Sequence, residues 1–174
     1  AAGISSADCV NTVSPTYALE IARQEKNSEL KNAFLKHKRP LGILNGIDTG
    51  YFNPQTDPYI QEKYGVSSLD KKSLNKLALQ KKLGLDANPR FLTAGVVTQF
   101  SEQKGLELII QAIEAVKNQP FQFAVLGQGE EKYVSALYAL HQKYPRKVAL
   151  AASYDPHLAR EIYAGSDIFL MPSK

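Results

Sequence analysis

The chain has 174 residues, 44% of them hydrophobic and 22% charged, with a net charge of +4. These are ordinary values for a globular chain of one or two domains, and no apolar run nears the roughly 20 residues that span a bilayer, which argues against a membrane-spanning role. One cysteine, Cys9, and three dispersed histidines, His37, His141 and His157, exclude an internal disulfide framework and leave no metal site. The mild positive charge suits an anionic small ligand. A nucleic-acid surface would need that charge clustered with exposed aromatics, whereas the lysines are spread over helix faces. The first ten residues lack the basic start and long apolar core of a secretory signal, so the expectation is a soluble, reduced protein.

Residues 8–13 read as a short strand, with Cys9 as a small core residue inside it. Ser14 and Pro15 form a helix start, Ser as the cap and Pro at the first position, where its missing donor costs nothing. Tyr17, Ala18 and Ile21 continue that helix. Residues 41–44 read as a second short apolar run, broken by Asn45 and Gly46. Residues 49–65 contain Asn53-Pro54, Asp57-Pro58 and three tyrosines without periodicity, which predicts a linker or a surface loop. A basic helix over 71–83, stopped by Gly84, follows.

From Phe91 onward, short apolar runs alternate with amphipathic helices. The runs are 91–97, 121–126, 147–151 and 168–171. The helix between the first two carries Leu106, Ile109, Ile110, Ile113 and Val116 at the spacing of one buried face. The next carries Tyr133, Val134, Leu137 and Leu140, and a third covers 156–164. Such alternation predicts parallel βαβ units with right-handed crossovers, an α/β Rossmann-like sheet. The chain stops at Met171-Pro172-Ser173-Lys174, directly after a strand, so a fragment of a longer protein is expected.

Ligands of open parallel sheets sit beyond the carboxyl ends of the strands, which here means the loops 98–105, 127–130 and 152–156. Lys104 falls at the start of a helix, where a cation opposes the dipole by about 0.3–1 kcal/mol unless an anion is bound. It is either a solvated lysine or a phosphate ligand. Gly127-Gln128-Gly129 lacks a third glycine at Lys132, and Glu130 and Glu131 already complement the next helix. It reads as a tight turn or as a close backbone approach to a ligand. Tyr154 offers a flat face to a nucleobase or packs locally. Asn45 before Gly46 is a turn former, or an amide aimed at a sugar hydroxyl. His141, late in a helix, reads as a surface or capping residue, and no Ser-His-Asp order or paired-carboxylate spacing stands out.

The order and spacing of these segments resemble one family. Val13-Ser14-Pro15-Thr16-Tyr17-Ala18, Gly42-Ile43-Leu44-Asn45-Gly46-Ile47-Asp48-Thr49 and Thr56-Asp57-Pro58 are similar to segments of bacterial glycogen synthases and plastid starch synthases. So are Glu102-Gln103-Lys104-Gly105-Leu106, Leu126-Gly127-Gln128-Gly129-Glu130, Tyr154-Asp155, Ala164-Gly165-Ser166-Asp167 and Leu170-Met171-Pro172-Ser173. The resemblance implies a glycosyltransferase of the two-Rossmann (GT-B) type. It assigns residues 1–48 to the end of the acceptor-side domain, 49–69 to a linker or surface loop, and 70–174 to the first part of the nucleotide-sugar domain. The implied reaction moves glucose from ADP-glucose to the non-reducing end of an α-1,4-glucan, glycogen or starch, with retention of configuration. By resemblance, Lys104 holds the phosphates, Tyr154 stacks on adenine, Asn45 lies near the glucosyl group, and Gly127 and Gly129 pass close to the nucleotide. No metal or other cofactor is implied, because cationic side chains can stabilise the diphosphate as it gains charge.

Two positions depart from the family pattern. Gln99 stands where the family has an Arg clamping the same diphosphate, and a neutral amide is no substitute for a bidentate cation. The loss of such a charge-assisted contact is worth roughly 1.5–3 kcal/mol, or about 10- to 150-fold in rate. Phe52 stands where Trp is usual. The leading expectation is therefore a segment of a glycogen or starch synthase, not active alone, in the bacterial cytoplasm or alternatively the plastid stroma. The alternative is a non-catalytic, synthase-like protein that binds glucan or a nucleotide sugar, which Gln99 favours.

Overall fold

The computed structural model describes residues 2–23, 28–35 and 41–174, and His37 lies outside the described residues. They form two compact units, one ending at Gly50 and the other beginning at Tyr51. The first unit contains α1 (Ala2–Ser5), β1 (Asn11–Thr12), α2 (Pro15–Arg23), α3 (Ser28–Leu35) and β2 (Leu41–Gly42). β1 and β2 pair in parallel, Asn11 opposite Leu41 and Thr12 opposite Gly42. α2 begins as its sequence predicts: the Ser14 Oγ accepts the Tyr17 N–H at 3.2 Å. The helix buries Ala18 and Ile21 against Phe34. Cys9 corrects an expectation, since it is solvent-exposed and lies ahead of β1.

In the second unit, a 3₁₀ turn (Val66–Lys71) leads into α4 (Lys72–Lys82), followed by β3 (Leu92–Val97) and a 3₁₀ turn (Glu102–Lys104). Then come α5 (Leu106–Ala115), β4 (Phe121–Leu126), α6 (Glu131–Lys143), β5 (Val148–Ala151), α7 (Pro156–Gly165) and β6 (Ile168–Phe169). The strands form one parallel sheet in the order β5-β4-β3-β6. β3 and β4 pair over their full length, from Leu92 opposite Phe121 to Val97 opposite Leu126. Successive side chains of β4 face opposite sides, so Phe123 and Val125 pack with Ile109, Ile113 and Leu137 of α5 and α6. Ala124 and Leu126 pack with Leu79 of α4 and Leu158 and Ile162 of α7. Both faces are covered, as parallel sheets require.

Polar contacts lock the unit at both edges of the sheet. At the amino edge, the buried Gln80 amide donates to Gln122 Oε1 at 2.7 Å, and Gln122 donates to the Asp86 carbonyl at 2.9 Å. The position of α7 is set by neighbours on α4 and β3 and by its own amino-terminal cap. Lys72 donates to the carbonyls of Tyr163 and Ala164 at its carboxyl end, at 2.9 and 2.7 Å, where a cation complements the dipole. Lys76 pairs with Asp167 at 2.6 Å, and Asp167 accepts the Thr93 N–H at 2.7 Å. At its amino end, Asp155 caps α7 by accepting the N–H groups of His157 and Leu158, both at 2.9 Å. His141 Nδ1 lies 2.7 Å from the Val148 carbonyl and ties the end of α6 to β5. Among the described residues no helix is long and apolar enough to cross a membrane.

Two outcomes follow from this packing. Leu137 is fully buried at the centre of the α5–α6 face, so Leu137→Ala should cost about 2–5 kcal/mol in urea unfolding. A loss under about 1 kcal/mol would show that this face is not closely packed. The hydrogen bonds from the Leu158 and His157 N–H groups hold the Asp155 carboxyl below its ordinary value. A depressed carboxyl contributes stability above its unfolded value of about 3.9, and that contribution is lost as pH falls through the folded value. The stability gap between the parent and Asp155→Ala should therefore be open at neutral pH and narrow below about pH 4 in acid unfolding. A gap that is constant with pH would contradict the cap.

Candidate functional site

A cavity of about 820 Å³ opens at the carboxyl ends of the strands of the second unit. That is the edge where the parallel topology gathers the loops after β3, β4 and β5. Val97, Thr98 and Gln99 contribute from the β3 loop, and Leu126, Gly127, Gln128 and Gly129 from the β4 loop. Ser153, Tyr154 and Asp155 contribute from the β5 loop. Ala159, Arg160 and Tyr163 form the α7 side, and Tyr51 and Phe52 complete the wall. Four of the residues singled out in the sequence, Gln99, Gly127, Gly129 and Tyr154, thus share one cavity.

The two glycines have a structural reason as well as a place on the wall. A Cβ on Gly127 would run into the Thr98 carbonyl, and one on Gly129 into the Phe100 carbonyl. The β3 and β4 loops close on each other there, with the Phe100 N–H donating to the Gln128 carbonyl and the Glu130 N–H donating to the Phe100 carbonyl, both at 2.8 Å. Tyr154 stands at the rim with 80% of its surface exposed, presenting its ring rather than packing it.

Lys104 is half-buried and does not line the cavity. It ends the 3₁₀ turn rather than opening α5, which starts after Gly105 in the left-handed conformation (φ 67°). A Cβ on Gly105 would meet the Pro172 carbonyl, and the Lys174 N–H donates to the Gln103 carbonyl at 2.9 Å, so residues 172–174 run across this turn. Among the described residues Lys104 has no ion-pair partner. Asn45 belongs to the first unit, where it is exposed just beyond β2.

The structure also brings forward residues that the sequence reading passed over. Arg160 is 8% exposed, and its Nη1 donates to Asp57 Oδ1 at 3.1 Å, with Asp57 itself 7% exposed. The guanidinium lies 3.7 Å from the Tyr51 ring centroid and 5.1 Å from that of Tyr59, which in turn stacks on His157 at 3.8 Å. Burial opposes its charge, but hydrogen bonds with Tyr51 and Asp57 outweigh that and hold it above its ordinary value. The segment 51–60, read from sequence as a linker or surface loop, is thus fastened to α7 by a buried ion pair, and Ile60 is buried with it. The available clue was a cation inside the helix that follows the loop 152–156, already assigned to the ligand edge. Its partner lies 103 residues away, which no local pattern reveals.

Comparisons with known proteins agree with this geometry. Residues 75–174, more than half of the chain, match the family "Glycosyl transferases group 1". The chain is 43% identical over 173 residues to a glycogen synthase of Thermotoga petrophila, and 42% identical over 174 residues to one of Clostridium novyi. Each alignment takes in 99% of this chain, and the chain spans only 36% of the length of these curated relatives. Among solved structures, it is similar to the catalytic domain of starch synthase IV from Arabidopsis thaliana, bound to ADP and acarbose. The identity there is 37% with a TM-score of 0.88, covering 98% of this chain and 36% of that one. The parallel α/β architecture is that of the GT-B glycosyltransferases, and the chain belongs to the group 1 glycosyl transferases.

Proposed function

We propose that the chain is part of an ADP-glucose-dependent glycogen or starch synthase, which transfers glucose to the non-reducing end of an α-1,4-glucan with retention of configuration. The observation that carries this reading is the cavity at the strand ends, in a chain 37% identical to an ADP-bound starch synthase. The cavity has the volume for a nucleotide sugar, an exposed tyrosine ring at its rim, and loops packed closely enough for backbone to approach a ligand. In this reading Tyr154 stacks on adenine and Gly127 and Gly129 pass beside the nucleotide. Lys104, without an ion-pair partner of its own among the described residues, reaches the phosphates, and Asn45 serves the glucosyl group. The bond between glucosyl C1 and the diphosphate breaks as the acceptor hydroxyl bonds to C1, and negative charge collects on ADP. A cation there favours the transition state over the ground state. Similarity to bacterial glycogen synthases supports a cytoplasmic location.

One observation favours a second reading. Gln99, on the cavity wall, is neutral, which suits a synthase-like protein that binds glucan or a nucleotide sugar without turnover. Incorporation of glucose from ADP-glucose into glycogen by the full-length polypeptide separates the two. The first reading expects incorporation, with ADP-glucose preferred over UDP-glucose in calorimetry and Lys104→Ala weakening ADP-glucose at least about tenfold. Glucan binding without incorporation selects the second. Gln99→Arg adds a guanidinium to the wall and should tighten ADP by about tenfold or more. No gain in affinity or turnover would show that the β3 loop does not face a diphosphate.

A further inference from the structure

Every helix start at the mouth of the cavity already carries a carboxylate. Asp155 caps α7, Glu130 and Glu131 open α6, and Glu102 opens the 3₁₀ turn. Glu130 also accepts the Glu102 N–H at 3.4 Å and pairs with Lys132 at 3.1 Å. These carboxylates offset the helix dipoles, and at α7 Asp155 also accepts two of the free amides directly. Among the described residues on the cavity wall, Arg160 is the only one with a cationic side chain.

Arg160 is also placed at a cost that packing alone does not explain. A buried ion pair adds little over apolar side chains of the same volume, because both charges must leave water. Its Nε is buried without a hydrogen-bond acceptor among the described residues, so the guanidinium is incompletely satisfied by the protein. Asp57 takes the Nη1 side and the Tyr51 ring covers one face, which fixes the plane of the fork. A planar guanidinium has five N–H donors and can serve two anions at once.

We propose that Arg160 is a specificity-determining residue that recognises the diphosphate of the donor from α7, with Asp57 and Tyr51 holding it in position. The inference rests on the donor-site reading above and adds to Lys104 a second cation that distinguishes a diphosphate from an uncharged nucleoside.

The test is calorimetry of the full-length polypeptide with ADP and with adenosine, whose affinity ratio isolates the diphosphate. Arg160→Gln should weaken ADP at least about tenfold and change adenosine by less than about twofold. Adding Gln99→Arg to that variant returns a guanidinium to the same wall and should recover most of the lost ADP affinity, a gain that damage to the fold cannot imitate. In the parent protein, ADP should shift the NMR resonance of the Arg160 Nε–H while adenosine leaves it in place, which needs no variant at all. Equal losses for ADP and adenosine, an unchanged ADP affinity, no recovery with Gln99→Arg, or no shift with ADP would each overturn the proposal. A parent protein that binds neither ligand overturns the donor-site reading and this proposal together. A parent that binds ADP with an affinity ratio indifferent to residue 160 overturns this proposal alone.

Discussion

The pairing of β3 with β4 along their whole length is the constraint on which the second unit rests. Because Leu92 faces Phe121 and Val97 faces Leu126, both strands end at one level, and β5 reaches the same level with Ala151 opposite Leu126. Three loops are then released side by side. A slip of one residue would turn Phe123 and Val125 towards α7 and Ala124 towards α5, emptying one core and overfilling the other. The hydrophobic cores on the two faces thus determine where the cavity lies.

Charge is arranged around that cavity in two layers. The outer layer is the set of carboxylates at helix starts, which complement the helix dipoles. The inner layer is the pair of Asp57 and Arg160, closed over by Tyr51 and Tyr59. This pair also attaches the first residues of the second unit to the helix that flanks the ligand edge. Packing and recognition therefore draw on the same guanidinium. Lys72 at the other end of α7, and Lys76 with Asp167 beside it, keep that helix in register with β3.

Local physics made most of the architecture readable. Apolar runs of strand length, three-and-four spacing on the helices, Ser14-Pro15 at the start of α2 and Gly84 at the end of α4 all correspond to elements as formed. Spatial neighbourhood was less accessible. Gly127, Gly129 and Tyr154 were found because strand topology places them at one edge, and Gln99 because it departs from the family pattern in the loop at the same edge. The contact of Asp57 with Arg160 was missed because it spans 103 residues, and Tyr51 because a segment without periodicity carries no sign of what it covers; Phe52 was noted only as a departure from the family pattern. Lys104 shows the limit of a boundary read from pattern: one left-handed glycine separates it from α5, so it ends a 3₁₀ turn rather than opening the helix. Cys9 shows the same limit in a strand: it is exposed and lies ahead of β1, not inside it.

The central claim is that the strand-end cavity of the second unit receives a nucleotide diphosphate. A crystal structure of the full-length polypeptide with ADP tests it most directly. The account predicts the adenine against Tyr154 and phosphate oxygens within hydrogen-bond distance of the Arg160 guanidinium, between the β3 and β4 loops. ADP bound elsewhere, or bound here with its phosphates directed away from Arg160 into solvent, would contradict it.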